Sequence, residues 1–150
     1  MNEHSTESGA ADGSPVVDAA LTAMVADLMP FAGLIGLQVV SNAADQSVAI
    51  AEWAPERCTV GTALHGGFLM ALADSMGAVC AVANLPEGAV GTSTIESKTN
   101  FLRAATEGPV TITSTPLHAG RTTIVVQTDI CRPDGKMVTR TIQTQAVLQG

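Results

Sequence analysis

No tyrosine occurs anywhere in the 150 residues, and the remaining aromatics are one tryptophan and three phenylalanines. A core cannot be assembled around stacked rings here. It has to come from Val, Ile, Leu, Ala and Met, which lift the hydrophobic share to 46%, too apolar for a disordered chain. Basic residues are scarce as well: seven Lys and Arg against fourteen Asp and Glu, with none before Arg57. No basic run supplies the phosphate-neutralising charge that nucleic acid binding needs, so nucleic acid is excluded as a partner. A small polyanion needs only two or three cations, and Lys98, Arg103, Arg121 and Arg140 are available. Charged residues of both signs reach only 14%, which points to surface buried between copies.

Three cysteines, an odd count without a CxxC pair, exclude a disulfide framework and lead us to expect reduced thiols in the cytoplasm. His4, His65 and His118 lack ligand spacing, so neither a metal nor another cofactor is expected. The opening residues MNEHSTESGAADG have no basic segment followed by an apolar one, so no signal peptide is expected. Val60 to Ala83 could span a bilayer on length alone. It contains His65 and Asp74, however, and an Asp at a helix centre costs about 2.5–3.5 kcal/mol to insert. We expect a core helix and no membrane association.

What the chain does contain is organised around Leu64 to Ala83. Phe68, Leu69, Leu72, Met76, Val79, Cys80 and Ala83 recur at helical spacing with no proline between them. Gly66 and Gly67 open this helix, where free backbone N–H groups and the positive end of the macrodipole can polarise a carbonyl oxygen. Asp74 is the only side chain charged at neutral pH between Arg57 and Glu87. We expect it to be buried, with its pKa raised by desolvation. At 1.5 Å per residue, Gly66 and Asp74 are about 12 Å apart along the axis, too far for one short side chain to reach. If both serve one reaction, a second copy must bring its helix antiparallel to the first, and small neighbours at Ala71, Ser75, Gly77 and Ala78 permit that approach.

Length suits one domain. We expect a tail over residues 1–13 and a single domain over 14–150. Ser14-Pro15 reads as the cap of an amphipathic helix ending at Pro30, and Phe31 to Gly36 as a turn. Strands are expected at Leu37–Ser41, Ser47–Trp53, Val90–Arg103, Val110–His118, Thr122–Arg132 and Met137–Leu148, with hairpin signals at Ala119-Gly120 and at Pro133-Asp134-Gly135-Lys136. A hairpin, one long helix and then consecutive antiparallel strands is an α+β order, with the helix against one face of a curved sheet.

His65-Gly66-Gly67, the helix with Asp74, Lys98-Thr99-Asn100-Phe101-Leu102-Arg103 and His118-Ala119-Gly120-Arg121-Thr122 together resemble the hotdog-fold acyl-CoA thioesterases. The likeness is greatest to the phenylacetic-acid-pathway and 4-hydroxybenzoyl-CoA thioesterase group and covers about residues 31 to 148. The resemblance implies a hotdog fold with an N-terminal cover helix and a homodimer or dimer of dimers. It also implies an acyl-CoA substrate and Asp74 as the catalytic carboxylate, either as nucleophile or as general base. It assigns the Gly66 amide to the thioester carbonyl, with Gly67 beside it, and sets Arg103, His118, Arg121 and Thr122 toward coenzyme A. His65 is open between cap and orienter. Where some relatives carry Asn or Gln fifteen residues before the carboxylate this chain has Thr59, and where some carry a polar helper one turn after it this chain has Ala78; Thr94 could supply a hydroxyl instead. Two rivals are weighed. A hydratase would pair the Asp with a His close behind it, and no His lies between Gly66 and Leu117. A non-catalytic acyl-CoA sensor would have little use for a costly buried carboxylate.

Overall fold

Alternating residues of the C-terminal half pair into strands whose inward positions are almost completely closed to solvent. In a computed structural model, which describes residue 13 and residues 15 to 150, β4 (Val110–Ala119) turns Val110, Ile112 and Ser114 inward. β5 (Thr123–Cys131) buries Ile124, Val126, Thr128 and Ile130 in strict alternation, the period-two signature of a half-buried strand. β6 (Met137–Gln149) and β3 (Ala89–Phe101) are longer, and β1 (Gln38–Asn42) and β2 (Ser47–Ala51) form the opening hairpin. The six strands make one antiparallel sheet in the order β1-β2-β4-β5-β6-β3, so β3 crosses to the far edge and, among the described residues, leaves one side unpaired.

The long helix α3 (Gly66–Val82) packs against β2, β3, β4, β5 and β6, on the sheet's inner face. Leu69, Leu72, Ala73, Met76 and Cys80 are buried there, each large one contributing roughly 1.5–3 kcal/mol relative to exposure. The Asn84 side chain fastens the end of α3, donating to the Cys80 and Ala44 carbonyls at 2.9 Å each. This hotdog architecture, a curved antiparallel sheet around one central helix, is the fold expected from the sequence.

Two local expectations are corrected. The cover helix α1 (Ala19–Leu28) starts four residues later than Pro15, because Asp18 caps it: one carboxylate oxygen accepts from the Ala20 and Leu21 amides at 3.0 Å each. Ser14 and the tail at 1–12 lie outside the described residues. Phe31 to Gly36 is not simply a turn. Pro30 pre-sets the first position of a short helix, α2 (Pro30–Leu34), which closes at Gly36 in the left-handed conformation, φ 70°. Among the described residues, no helix is long and apolar enough to cross a membrane.

Candidate functional site

The segment leading into α3 is held from several directions. Trp53 Nε1 donates to the Thr62 carbonyl at 2.8 Å, His65 N to Arg57 O at 2.8 Å, and Leu64 N to Ala105 O at 2.9 Å. His65 is the helix cap: its Nδ1 accepts from the Gly67 amide at 2.8 Å, so the neutral ring carries its proton on Nε2. The two glycines are required by close approach. A Cβ on Gly67 would sit 3.0 Å from the His65 ring, and one on Gly66 3.2 Å from the ring of Phe101. With the Gly67 amide committed to the cap, the Gly66 N–H is a first-turn donor with no acceptor among the described residues. A cavity of about 440 Å3 opens beside His65, bordered by Arg57 and Phe68, with the Arg57 guanidinium 5.3 Å over the Phe68 ring.

Asp74, expected to be buried, is exposed in the single chain. The greasy residues around it are divided between two faces. Leu72, Ala73, Ser75, Met76 and Gly77 turn into the sheet, while Gly67, Met70, Asp74 and Val82 follow one another at helical spacing on the side the sheet leaves uncovered. The carboxylate is nevertheless held. Thr94 Oγ1 donates to its Oδ1 at 3.0 Å, and Gln145 Nε2 donates to Thr94 Oγ1 at 2.7 Å. Thr94 adjoins a register shift between Thr94 and Glu96 in the β3–β6 pairing, a bulge of the kind that re-aims side chains next to sites. Sequence reasoning reached Asp74 and Thr94 but missed Gln145 and its neighbour Gln143. Both are fully buried, and Gln143 Nε2 lies 3.4 Å from the Asp74 carbonyl.

The other candidates divide between the two ends of the sheet. Arg103 follows β3 at the Gly66 end, its guanidinium donating to Met137 O at 3.2 Å, and Thr59 lies exposed in the loop before α3. His118, Arg121 and Thr122 are exposed around the β4–β5 turn. That turn adjoins the start of β3, since Thr123 pairs with Ala146 and Gly91 with Leu148. One chain therefore brings Asp74 to Thr94, and His65 to Gly66 and Gly67, but keeps Arg103 and Arg121 at opposite ends. Arg140 is not available for a ligand: Asp129 takes it with two bonds of 2.7 Å, which raises the Arg140 pKa further. Burial pushes the Cys80 thiol up, against thiolate chemistry there. Among the described residues, no group of three or more His, Cys, Asp or Glu is arranged to hold a metal ion.

Comparison with known proteins gives a consistent result. The model of the thioesterase superfamily matches residues 61–139. The candidate esterase ComA2 of Bacillus subtilis is 30% identical over 118 residues, covering 77% of this chain and 91% of that protein. A thioesterase of Haemophilus influenzae has a TM-score of 0.78 at 25% identity, over 86% of this chain and 88% of its own. A hypothetical thioesterase of Streptococcus pneumoniae, solved with coenzyme A, shares the fold at a TM-score of 0.69 and 23% identity, over 76% and 87% of the two chains.

Proposed function

Because the chain belongs to the thioesterase superfamily, we propose that it hydrolyses an acyl-coenzyme A thioester to the free acid and coenzyme A. In this reading one domain, over residues 14–150, works as a homodimer, alone or paired into a dimer of dimers. The three unpaired thiols fit a reducing cytoplasm. The observation that carries the reading is the division of α3 into a donor end and a carboxylate eight residues apart, about 12 Å along one axis, both on an uncovered side. Neither alone can act on a carbonyl held by the other.

The open edge of β3 offers the means to bring them together. Unpaired backbone along a long edge strand is a template for a second strand, and Val90, Ile95 and Phe101 on it, with Leu102 just past its end, are more than half exposed. A two-fold axis passing near Met70 of α3 and near Ser97–Lys98 of β3 lays each α3 antiparallel to its copy, with Asp74 opposite the other copy's Gly66. The same operation carries Arg103 toward the other copy's Arg121 and Thr122, with His118 beside them. That uniting of cations suits the phosphates of coenzyme A. The neighbour solved with coenzyme A supports this ligand by fold.

In the reaction, the Gly66 N–H of one copy polarises the thioester carbonyl, and His65 fixes the helix end through the Gly67 amide. Asp74 of the other copy either attacks the carbonyl carbon, forming a mixed anhydride that water then hydrolyses to the free acid, or draws a proton from the water that attacks. In both, the C–S bond breaks and coenzyme A leaves as the thiolate, taking up a proton from the water consumed. Thr59 stands at the donor end.

Gly66→Pro tests this when compared with Gly66→Ala: both add a Cβ against the Phe101 ring, but only proline, which suits the first helical position, also removes the N–H. His65, at φ −65° and ψ 136°, already has the conformation proline requires of its predecessor. We expect Gly66→Pro to fold and lose about 10²–10³ in kcat. Asp74→Ala should abolish turnover. Mixing the two inactive chains under conditions that exchange subunits should restore thiol release; inactivity of the mixture with exchange verified refutes the shared site.

A further inference from the structure

A groove of about 270 Å3 lies between α1 and the second half of α3, its walls including Met24, Leu28, Ala78 and Val82, with Asn42 and Thr92 at its edges. Two features join it to the carboxylate. Ala78 stands one helical turn beyond Asp74, and Thr92 lies on the same face of β3 as Thr94, the donor to Asp74, with no register shift between them. A group bonded to a carbonyl at Asp74 therefore has this groove directly ahead of it. Val82 is eight residues past Asp74, so the far end of the groove is about 12 Å from the carboxylate along the helix.

The lining has a definite chemistry. It carries no charged and no aromatic side chain. Asn42 accepts from Ser47 Oγ at 2.7 Å, and its amide N–H groups and the Thr92 hydroxyl are the polar groups of a lining otherwise built of Met, Leu, Val and Ala. Met24 and Leu28 are flexible walls, 47% and 81% exposed, positioned to be covered by a bound chain. With no ring in the lining to stack on, the groove suits an aliphatic chain better than an aromatic acyl group.

We propose that the groove receives the aliphatic tail of a medium-chain acyl thioester, and that Leu28 and Val82 set its length. At about 1.3 Å of advance per carbon, from a C–C bond of about 1.5 Å, 12 Å accommodates about nine carbons. This rests on the thioesterase reading above and narrows it to a substrate class.

The test measures thiol release by the full chain from butanoyl, decanoyl and 4-hydroxybenzoyl coenzyme A, then repeats it with Val82→Trp and Leu28→Trp. The expected result is kcat/KM about tenfold or more higher for decanoyl than for 4-hydroxybenzoyl, and a decanoyl-to-butanoyl ratio that falls about tenfold in each variant that folds. A preference for 4-hydroxybenzoyl, or an unchanged ratio in the folded variants, overturns the proposal while leaving thioester hydrolysis intact. If the native chain releases no thiol from any of them, the thioesterase reading fails, and calorimetric titration with decanoyl coenzyme A decides the groove. Binding weakened about tenfold by either tryptophan supports it; absent binding, or equal binding by native chain and variants, means another occupant and overturns it.

Discussion

A threonine hydroxyl has one proton to give, and at Thr94 its direction is forced. Gln145 donates into the Thr94 oxygen, so the proton is left for Asp74 Oδ1. Turned the other way, the Gln145 amide oxygen and the carboxylate would compete for that proton. The cost is visible in the Gln145 Oε1 atom, which is buried and unpartnered among the described residues. The second carboxylate oxygen, Oδ2, accepts no bond there and is the one free to react. We expect Thr94→Val and Gln145→Leu to lower kcat about tenfold to a hundredfold with little change in KM, and Thr94→Ser to recover most of the loss. Steady-state kinetics with any substrate turned over by the native chain checks this. Equal loss in KM and kcat would make the pair structural. Asp74 and Gly66 stand out in the sequence as candidates because a lone acid and a glycine pair are odd in an apolar helix. That Asp74 is exposed was not legible, since its neighbours are apolar on both faces.

At the scale of elements, the tightest fit of α3 on β6 is at Gly77 and Gln143. A Cβ on Gly77 would stand 2.3 Å from Gln143 Oε1 and 2.4 Å from its amide carbon, within a fully buried side chain. Gly77→Ala should therefore destabilise by about 1–3 kcal/mol, and Gln143→Ala in the same chain should remove much of that penalty. Urea denaturation of the two single variants and the double variant measures the coupling; additive losses would show that the contact is not what fixes glycine at 77. The element order and most strand limits could be read from alternation and turn residues. The inward face of β6 could not. Hydropathy favours Ile142 inside, yet Ile142 is 38% exposed while Thr141, Gln143 and Gln145 are fully buried. Pairing with β3 and β5 sets that register, and the small residues of α3 leave room for amides, neither of which a single strand's sequence reveals. The Asp18 cap and the α2 helix were missed for a related reason, because a serine-proline pair earlier in the chain offered the same local signal.

At the scale of the whole molecule, the unpaired edge of β3 and the uncovered side of α3 lie together, and the two groups of cations sit at opposite ends of the sheet. Distance alone led the sequence reading to expect a second copy, whereas the seam proposed above was out of its reach, because a strand's place at a sheet edge depends on long-range order. Chains carrying Ile95→Lys and Met70→Glu should run near 15.3 kDa by light scattering, against about twice that or more for the native protein, and should lose turnover together with association. Loss of association with full activity would refute the shared site.

Under the shared-site proposal, a helix that carries both halves of a reaction but cannot bend back on itself would tie catalysis to abundance. Diluted beneath its own dissociation constant, such a molecule would fall silent in proportion to the square of its concentration, and synthesis alone would switch it on.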